Sequence, residues 1–483
     1  MTDWVLGFMS EAIGGRFKRW KVGSNTPARP GQAGKSAKRG SFGTDSRSPP
    51  PQGRRNAMSW AYRILFPLLL IPALPYYFWR MLRRGGYGAG FSQRFGFFPS
   101  PGPKAAGKRR FWIQAVSVGE IEAIGPLLRQ LQATGEAEII LTTTTSTGYR
   151  LAKERYADVA GAIGIFPADL WPCSTLAWNR IRPDVVILVE GELWPEHLAQ
   201  ARARGVPAFL INGRISDKSF ARHQRFLGLS RYVLGHFQQI AAGSEEDMRR
   251  FRALGFEATL TGNIKFDVAS DAPMSVEERA RLRGELGFGA DPRTVVLLGS
   301  STWKGEEALL LRIVRELRAA GQDVRLLLVP RHSERRAEVA AEVSGSGLDW
   351  HQRSSGGPTA PAGTVVHLAD TTGELRRLTR AADLAFCGKS LAPHEGGQTP
   401  IECAAAGVAI VYGPRMSNFR DICRGLEKAN AAARAEDEAA LAAKISLLCD
   451  DEAARRGMGS NGAAWHQGNR GATKRTLALL LGR

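Results

Sequence analysis

Four short stretches of this 483-residue chain place acids, hydroxyls and cations where chemistry could be done. The first is Ser117-Val118-Gly119-Glu120, between the apolar run 111–116 and a helical pattern over 121–131. A carboxylate there can take the proton of an attacking hydroxyl if it lies within ~3 Å of it, and it can equally cap the helix, since acids are favoured at helix starts. The second is Glu190-Gly191-Glu192 ahead of Leu193-Trp194-Pro195, two acids that could orient an acceptor or bind a basic neighbour. The third, Ser300-Ser301-Thr302, follows an apolar strand and is read as opening a helix, which would gather hydroxyls and amides around a phosphate. Arg331-His332, at another strand end, would add positive charge to that phosphate. The fourth stretch is 395–407. Gly396 and Gly397 let the backbone turn and approach a ligand, Pro400 suits the first turn of a helix, and Ala404, Ala405 and Ala406 favour close packing. Aligned amides at that helix start would favour an anion, and Glu402 could accept from sugar hydroxyls, a combination that suits a nucleotide sugar. A nucleoside-triphosphate P-loop is not indicated, because G-x-x-x-x-G-K-[ST] does not occur.

The elements that must position these residues follow a repeating order of strand, glycine-containing turn and helix. Strand-like runs at 111–116, 139–144, 185–189, 208–211 and 239–242 form one series, with Asn212-Gly213-Arg214 closing the fourth. A second series runs through 294–298, 325–329, 364–368, 384–387 and 408–411, with Gly388-Lys389-Ser390 after the fourth. Strand–turn–helix–strand is the signature of a parallel sheet, and in open α/β sheets ligands gather at the carboxyl ends of the strands, where these polar residues fall. The expected fold is α/β, with two doubly wound, Rossmann-like halves meeting at a cleft. A chain of this length supports two cores, since single cores stop growing near ~250–300 residues.

The charge is unevenly placed. Net charge is +20, but residues 1–110 carry 20 of the 66 Lys and Arg and only three of the 46 Asp and Glu, leaving the body nearly neutral. A nucleic-acid groove would need a basic folded face, so the asymmetry points instead to an anionic lipid surface. Residues 1–22 have apolar residues at helical spacing, and 23–55 are rich in Gly, Ser, Pro and Lys/Arg, a composition that cannot repay ordering entropy. Residues 64–79 are uncharged and bounded by arginines. Pro67, Pro72 and Pro75 and a length short of ~20 residues favour a short anchor or interfacial insertion over a full span. The five cysteines form no C-x-x-C pair, so neither a zinc site nor a disulfide framework is indicated.

Taken in order, Ser117–Glu120, the Glu190–Pro195 loop, Asn212-Gly213-Arg214-Ile215-Ser216, Gly262-Asn263-Ile264-Lys265-Phe266-Asp267, residues 299–307, Pro330-Arg331-His332, Thr372-Gly373-Glu374-Leu375 and Gly396-Gly397-Gln398-Thr399-Pro400-Ile401-Glu402 resemble the Kdo (3-deoxy-D-manno-octulosonic acid) transferases of lipopolysaccharide synthesis. The resemblance spans roughly 58–430 and implies an inverting GT-B glycosyltransferase, with a basic leader over 1–57, a membrane anchor over 58–84, an acceptor domain over 99–270 and a CMP-sugar domain over 271–483. It would move Kdo from CMP-Kdo to the 6′-hydroxyl of a lipid A precursor at the cytoplasmic face of the inner membrane. Its partners would be the donor, that acceptor and membrane lipids, with no nucleic acid and no metal or other cofactor. Glu120 would be the general base, with Glu190, Glu192 and Arg214 on the acceptor side. Ser300, Ser301, Thr302, Arg331, His332, Lys389, Gly396, Gly397, Gln398 and Glu402 would serve the donor. Lys265 is, with Arg214, a candidate for the Kdo carboxylate or the acceptor's phosphates. Three positions depart from the usual pattern: Gln398-Thr399 stands where many relatives have His-Asn, Arg415 where they have His, and Trp303 near their Thr-His pair. A paralogue using another acidic sugar or acceptor, and a non-catalytic membrane scaffold, are the competing readings.

Overall fold

In the computed structural model the described residues are 52–73, 75, 88–268 and 274–483, so the expectations for 1–51 and for the end of the uncharged run lie outside them. The chain divides into two compact units, Met1–Asn263 with Thr473–Arg483, and Ile264–Ala472. The division therefore falls earlier than residue 270, and the last eleven residues join the first unit instead of the second. The reason lies in the helix Ala472–Leu481, whose Thr473, Thr476 and Leu480 are one turn apart and buried, while Arg475 Nε donates to the Thr261 carbonyl at 2.8 Å.

The first unit is a parallel sheet in the order β3-β2-β1-β4-β5-β6-β7. Its strands are β1 (Arg109–Gln114), β2 (Ala137–Thr143), β3 (Ala162–Ile165), β4 (Val185–Val189), β5 (Ala208–Gly213), β6 (Gln239–Ala242) and β7 (Thr259–Leu260). Trp112, Ile113, Val186, Leu188 and Leu210 are almost wholly buried, because helices cover both faces of such a sheet and its strands read as continuous apolar runs. Chain order reverses between β1 and β4, so the segments leaving these two neighbours diverge and open a crevice at their carboxyl ends. Glu120 follows β1, and Glu190 and Glu192 follow β4.

An N-terminal helix, Gln52–Leu70, is part of this unit. Tyr62 and Phe66 are buried one turn apart with their rings stacked at 4.8 Å, and Arg63 makes a two-pronged pair with the buried Glu196 at 2.8 and 2.9 Å. Among the described residues no helix is long and apolar enough to cross a membrane.

The second unit carries a parallel sheet in the order β10-β11-β9-β8-β12-β13-β14. Its strands are β8 (Val295–Thr302), β9 (Val324–Pro330), β10 (Trp350–Gln352), β11 (Val366–Leu368), β12 (Leu384–Cys387), β13 (Ala409–Tyr412) and β14 (Ala432–Arg434). The reversal here is between β8 and β12, which puts Ser300–Thr302 and Gly388-Lys389-Ser390 beside the corresponding crevice.

Two local expectations are corrected. Ser300, Ser301 and Thr302 do not open a helix: β8 runs through them with a bulge at Ser301, and the helix Glu306–Ala319 starts later, behind Gly305 at φ 92°. The helix Ile401–Ala405 is a single turn with Pro400 at its N-cap, so it sums too few peptide dipoles to hold an anion by itself. Its small residues do serve close packing, against the helix Glu452–Gly468. A Cβ on Gly459 would stand 2.1 Å from the Gly407 carbonyl, and one on Gly462 would stand 3.5 Å from Ala404 Cα.

Candidate active site

In the first unit the helix Val118–Ala133 has its cap in Ser117, whose hydroxyl accepts from the Glu120 amide at 3.4 Å. The Glu120 carboxylate is thereby released from helix capping and folds back over the turn. One oxygen accepts from the Val116 amide at 2.8 Å and the other from the Ser117 hydroxyl at 3.1 Å. The turn itself is pinned by the hydroxyls of Thr143 and Thr145, both donating to the Val116 carbonyl at 3.1 Å. Burial, the charge of Glu190 and, to a lesser degree, that of Glu192 push the Glu120 carboxyl up to about 8, against the pull of its two hydrogen bonds. A carboxyl so poised changes hands with a proton near neutrality, the range a general base needs.

The two acids that raise it are held by the loops after β4 and β5. Glu190 adopts the left-handed conformation at φ 61°, as does Asn212 at φ 50°, both outside the usual range for such residues. Asn212 Nδ2 donates to Glu190 Oε1 at 3.3 Å, and Arg214 Nη1 lies 4.0 Å from the other oxygen. Arg214 thus sits beside Glu190 and partly offsets its charge. Backbone bonds from Glu190 to Ile211 and from Arg214 to Glu190 close the two loops on each other. Glu120, Glu190 and Glu192 therefore form one acidic group, with the Arg214 guanidinium beside Glu190.

In the second unit the predicted residues gather at the ends of β8, β9 and β12. Ser301 and Lys389 are left-handed at φ 54° and 60°, the Gly388 amide donates to the Ser300 carbonyl at 2.9 Å, and the Arg331 amide donates to the Thr302 carbonyl at 3.1 Å. Lys389 Nζ lies 4.6 Å above the Trp303 ring, which also meets His332 edge-on at 5.0 Å and His394 at 5.4 Å. Gly396 and Gly397, at φ 105° and 72°, are stitched in by the bonds Gly397 N to Lys389 O (3.1 Å) and Gly396 N to Arg415 O (3.0 Å). They must be glycine: a Cβ would fall 2.5 Å from Asn418 Nδ2 at the first and 2.3 Å from Met416 Sδ at the second. Gln398 and Glu402 continue the same segment, both half-buried. Lys265 lies in the short helix Lys265–Val268 of the second unit, whereas Arg214 belongs to the first, so the two cations do not share a unit.

Two contributors were missed in the sequence. Glu306, nearly fully buried, accepts from the amides of Trp303 (2.8 Å), Lys389 (2.8 Å) and Ser390 (3.0 Å), clamping the end of β8 to the loop after β12. Burial holds its carboxyl above the usual carboxylate range, with the amides opposing the shift. An acid in the first turn of a helix signals only a cap, so nothing in the spacing revealed this reach across 84 residues. Trp303 was visible only as a departure from a pattern, and its place as a platform for one cation and two imidazoles depends on β9 and β12 arriving beside β8. Among the described residues no cluster of His, Cys, Asp and Glu is arranged to hold a metal ion.

A family model described as 3-deoxy-D-manno-octulosonic-acid transferase (kdotransferase) matches residues 89–268, which include Glu120, Glu190, Glu192 and Arg214. The chain is 37% identical over 442 residues to the 3-deoxy-D-manno-octulosonic acid transferase of Bordetella pertussis, covering 88% of this chain and 98% of that relative. This chain belongs to the Kdo transferase family. The Haemophilus influenzae member is 31% identical over 398 residues, covering 80% of this chain and 90% of the relative. Kdo transferases are glycosyltransferases, and the chain is an enzyme of that class. Its fold is shared more widely: the structure of UDP-GlcNAc 2-epimerase from Neisseria meningitidis bound to UDP-GlcNAc superposes with a TM-score of 0.51 at 12% identity, covering 77% of this chain and all of that one. At that identity the likeness is one of fold alone, an α/β chain with two parallel sheets.

Proposed function

We propose that this Kdo transferase moves Kdo from CMP-Kdo to the 6′-hydroxyl of a lipid A precursor, with inversion and without a metal, at the cytoplasmic face of the inner membrane. The observation that carries the reading is the Glu120 carboxyl, held over its turn and raised to about 8 by burial and its acidic neighbours. In this reading the acceptor oxygen attacks the anomeric carbon of Kdo, its proton passes to Glu120, and the bond from that carbon to the phosphate oxygen of CMP breaks. CMP departs with the bonding pair and is a good leaving group, so the protein has mainly to supply a base, orient the acceptor and stabilise phosphate charge. Glu190, Glu192 and Arg214 take the acceptor side. Ser300, Ser301, Thr302, Arg331, His332, Lys389, Gln398 and Glu402 take the donor side around the turn that Gly396 and Gly397 make possible.

The test is transfer from CMP-Kdo generated in situ to a lipid A precursor, with added sugars counted by mass spectrometry and chelator present throughout. Glu120→Ala is expected to lose ~10²–10⁴-fold in rate while still binding CMP-Kdo. Product from the intact chain that survives this substitution would remove Glu120 from the base role. No product from a folded sample would favour a paralogue, and the donor would be varied before the acceptor.

A further inference from the structure

The carboxyl end of β2 runs into successive threonines, Thr142-Thr143-Thr144-Thr145, and a buried arginine straps that run to the end of β3. β1 ends at Gln114, and the Ala115 amide makes one more bond, to the Thr142 carbonyl at 3.1 Å. Past it, side chains hold the chain. The Thr143 and Thr145 hydroxyls together fill both lone pairs of the Val116 carbonyl, and the Val116 amide is left aimed at the Glu120 carboxylate, 2.8 Å away. The Thr145 hydroxyl also accepts from the Gly148 amide at 3.1 Å, as the cap of the helix Ser146–Tyr156, and the Thr144 hydroxyl accepts from Gln114 Nε2 at 2.9 Å. The arginine is Arg94, from the short helical segment Gly88–Phe95. Its guanidinium donates to the Thr144 carbonyl and, at 3.1 Å, to the Phe166 carbonyl just past β3. Arg94 is fixed in turn, since its own carbonyl accepts from the Ala168 amide at 2.8 Å and Gln93 Oε1 accepts from the Ile165 amide at 2.7 Å. Close approach also dictates Gly148, where a Cβ would stand 2.6 Å from Thr143 Oγ1 and 2.8 Å from Thr145 Oγ1.

We propose that Arg94, Thr143 and Thr145 are positioning residues for the transfer reaction: by fixing the Val116 turn they fix the place and angle at which Glu120 meets the acceptor hydroxyl. The inference rests on the reading of Glu120 as the base. The sheet does not depend on these bonds, because β1, β2 and β3 are already paired in register through their backbones. Burying a guanidinium and hydroxyls is costly unless they are paired, and here the pairs converge on one turn beside one carboxylate. A reacting group misplaced by ~1 Å can cost on the order of 10²-fold in rate, so a turn that carries the base has to be held. The charged groups that face Glu120 are Glu190 and Glu192 from the loop after β4, with Arg214 beside Glu190 from the loop after β5, while the turn after β2 presents the two hydroxyls. The Val116 amide favours the ionised form of Glu120, so a turn that loses its aim lets the carboxyl rise further. The rising limb of kcat/KM then moves to higher pH.

The experiment uses the full chain with three changes: Thr143→Val with Thr145→Val, the same pair changed to Ser, and Arg94→Lys, whose single ammonium cannot reproduce the guanidinium fork. Melting curves check that each variant folds. The valine pair is expected to lose ~10–100-fold in kcat with CMP-Kdo binding unchanged by calorimetry, and to move the limb to higher pH. The serine pair, which keeps both hydroxyls, should restore most of the rate and the parent limb. Arg94→Lys should shift the limb in the same direction as the valine pair. Gly148→Ala, which keeps both hydroxyls in the chain but crowds them, should do the same if either of the other changes unfolds the unit. The infrared band of the protonated Glu120 carboxyl, identified by its loss in Glu120→Gln, reads the same titration without turnover. A folded valine pair with the parent's titration and rate would overturn the proposal, as would equal losses in the valine and serine pairs; a parent titration in Arg94→Lys would remove Arg94 from the set. Activity that survives Glu120→Ala would instead count against the base reading, leaving the infrared titration to decide whether the turn positions the carboxyl.

Discussion

At the scale of single residues, the acidic group of the first unit ties proton affinity to position. Glu120 sits between opposing influences: burial and the Glu190 and Glu192 charges raise it, and the Val116 amide and Ser117 hydroxyl lower it, with the balance near 8. A base must be deprotonated to act, so kcat/KM should climb with pH and level off above about 8. Replacing Glu190 with Gln removes a negative charge and should move that limb to lower pH, which a pH–rate profile of Glu190→Gln would register. A limb that stays in place would show that Glu190 does not act on Glu120. In the second unit Glu306 is the residue most exposed to a simple test. Glu306→Ala would strand three backbone amides that now share one carboxylate, at a cost of about 1–3 kcal/mol for each that water cannot reach. Denaturant unfolding should show the loss of stability, and CMP-Kdo binding by calorimetry should weaken as the loop bearing Lys389 loosens.

At the scale of elements, the active-site turns depend on strand ends and on how closely helices approach. Glu190, Asn212, Ser301 and Lys389, all non-glycine residues with positive φ, lie at or just past the carboxyl ends of β4, β5, β8 and β12. Such conformations cost of order 1–3 kcal/mol and persist where the surroundings over-determine them, which is a mark of functional turns. The helix Glu452–Gly468 packs against the one-turn helix Ile401–Ala405 and the turn that follows it, and at Gly459, facing the Gly407 carbonyl, only glycine fits. Gly459→Ala would drive a methyl to within 2.1 Å of the Gly407 carbonyl, and backbone cannot move aside as a flexible side chain can. We expect about 1–3 kcal/mol of destabilisation, read by thermal melting. Gly457→Ala, on the same helix with open space around it, is the control and should be neutral or slightly stabilising.

At the scale of the whole molecule, the candidate residues divide between the two units. The acids Glu120, Glu190 and Glu192 belong to the first, and Lys389, Arg331 and the imidazoles around Trp303 belong to the second. The first unit is also closed by residues from the far end of the chain. Removing 473–483 should therefore lower the stability of the first unit while sparing the second, because Thr473, Thr476 and Leu480 leave a buried face and Thr261 loses the Arg475 donor. Hydrogen exchange resolved by peptide would show the loss of protection confined to 88–263. Protection lost equally across 274–472 would show that the helix serves both units.

Much of this protein was determined by its sequence alone. The alternation of apolar runs with glycine-bearing turns specified two parallel α/β halves, because strands covered on both faces must be apolar and their polar turns must fall at the ends. The same turns marked Glu120, Glu190, Ser300 and Lys389, since local rules of strand, turn and helix act over a few residues and can be read from them. The tertiary structure decided what depends on distant segments meeting. It set the neighbours that raise Glu120, the reach of Glu306 to Lys389 and Ser390, and the stack of Lys389 on Trp303. It extended β8 through Thr302, where pairing with Pro330 at the end of β9 outweighed local preference, and it cut the helix after Pro400 to one turn. It also returned the last helix to the first unit, because a buried face fixes only that a helix must pack and leaves its partner to the assembled fold.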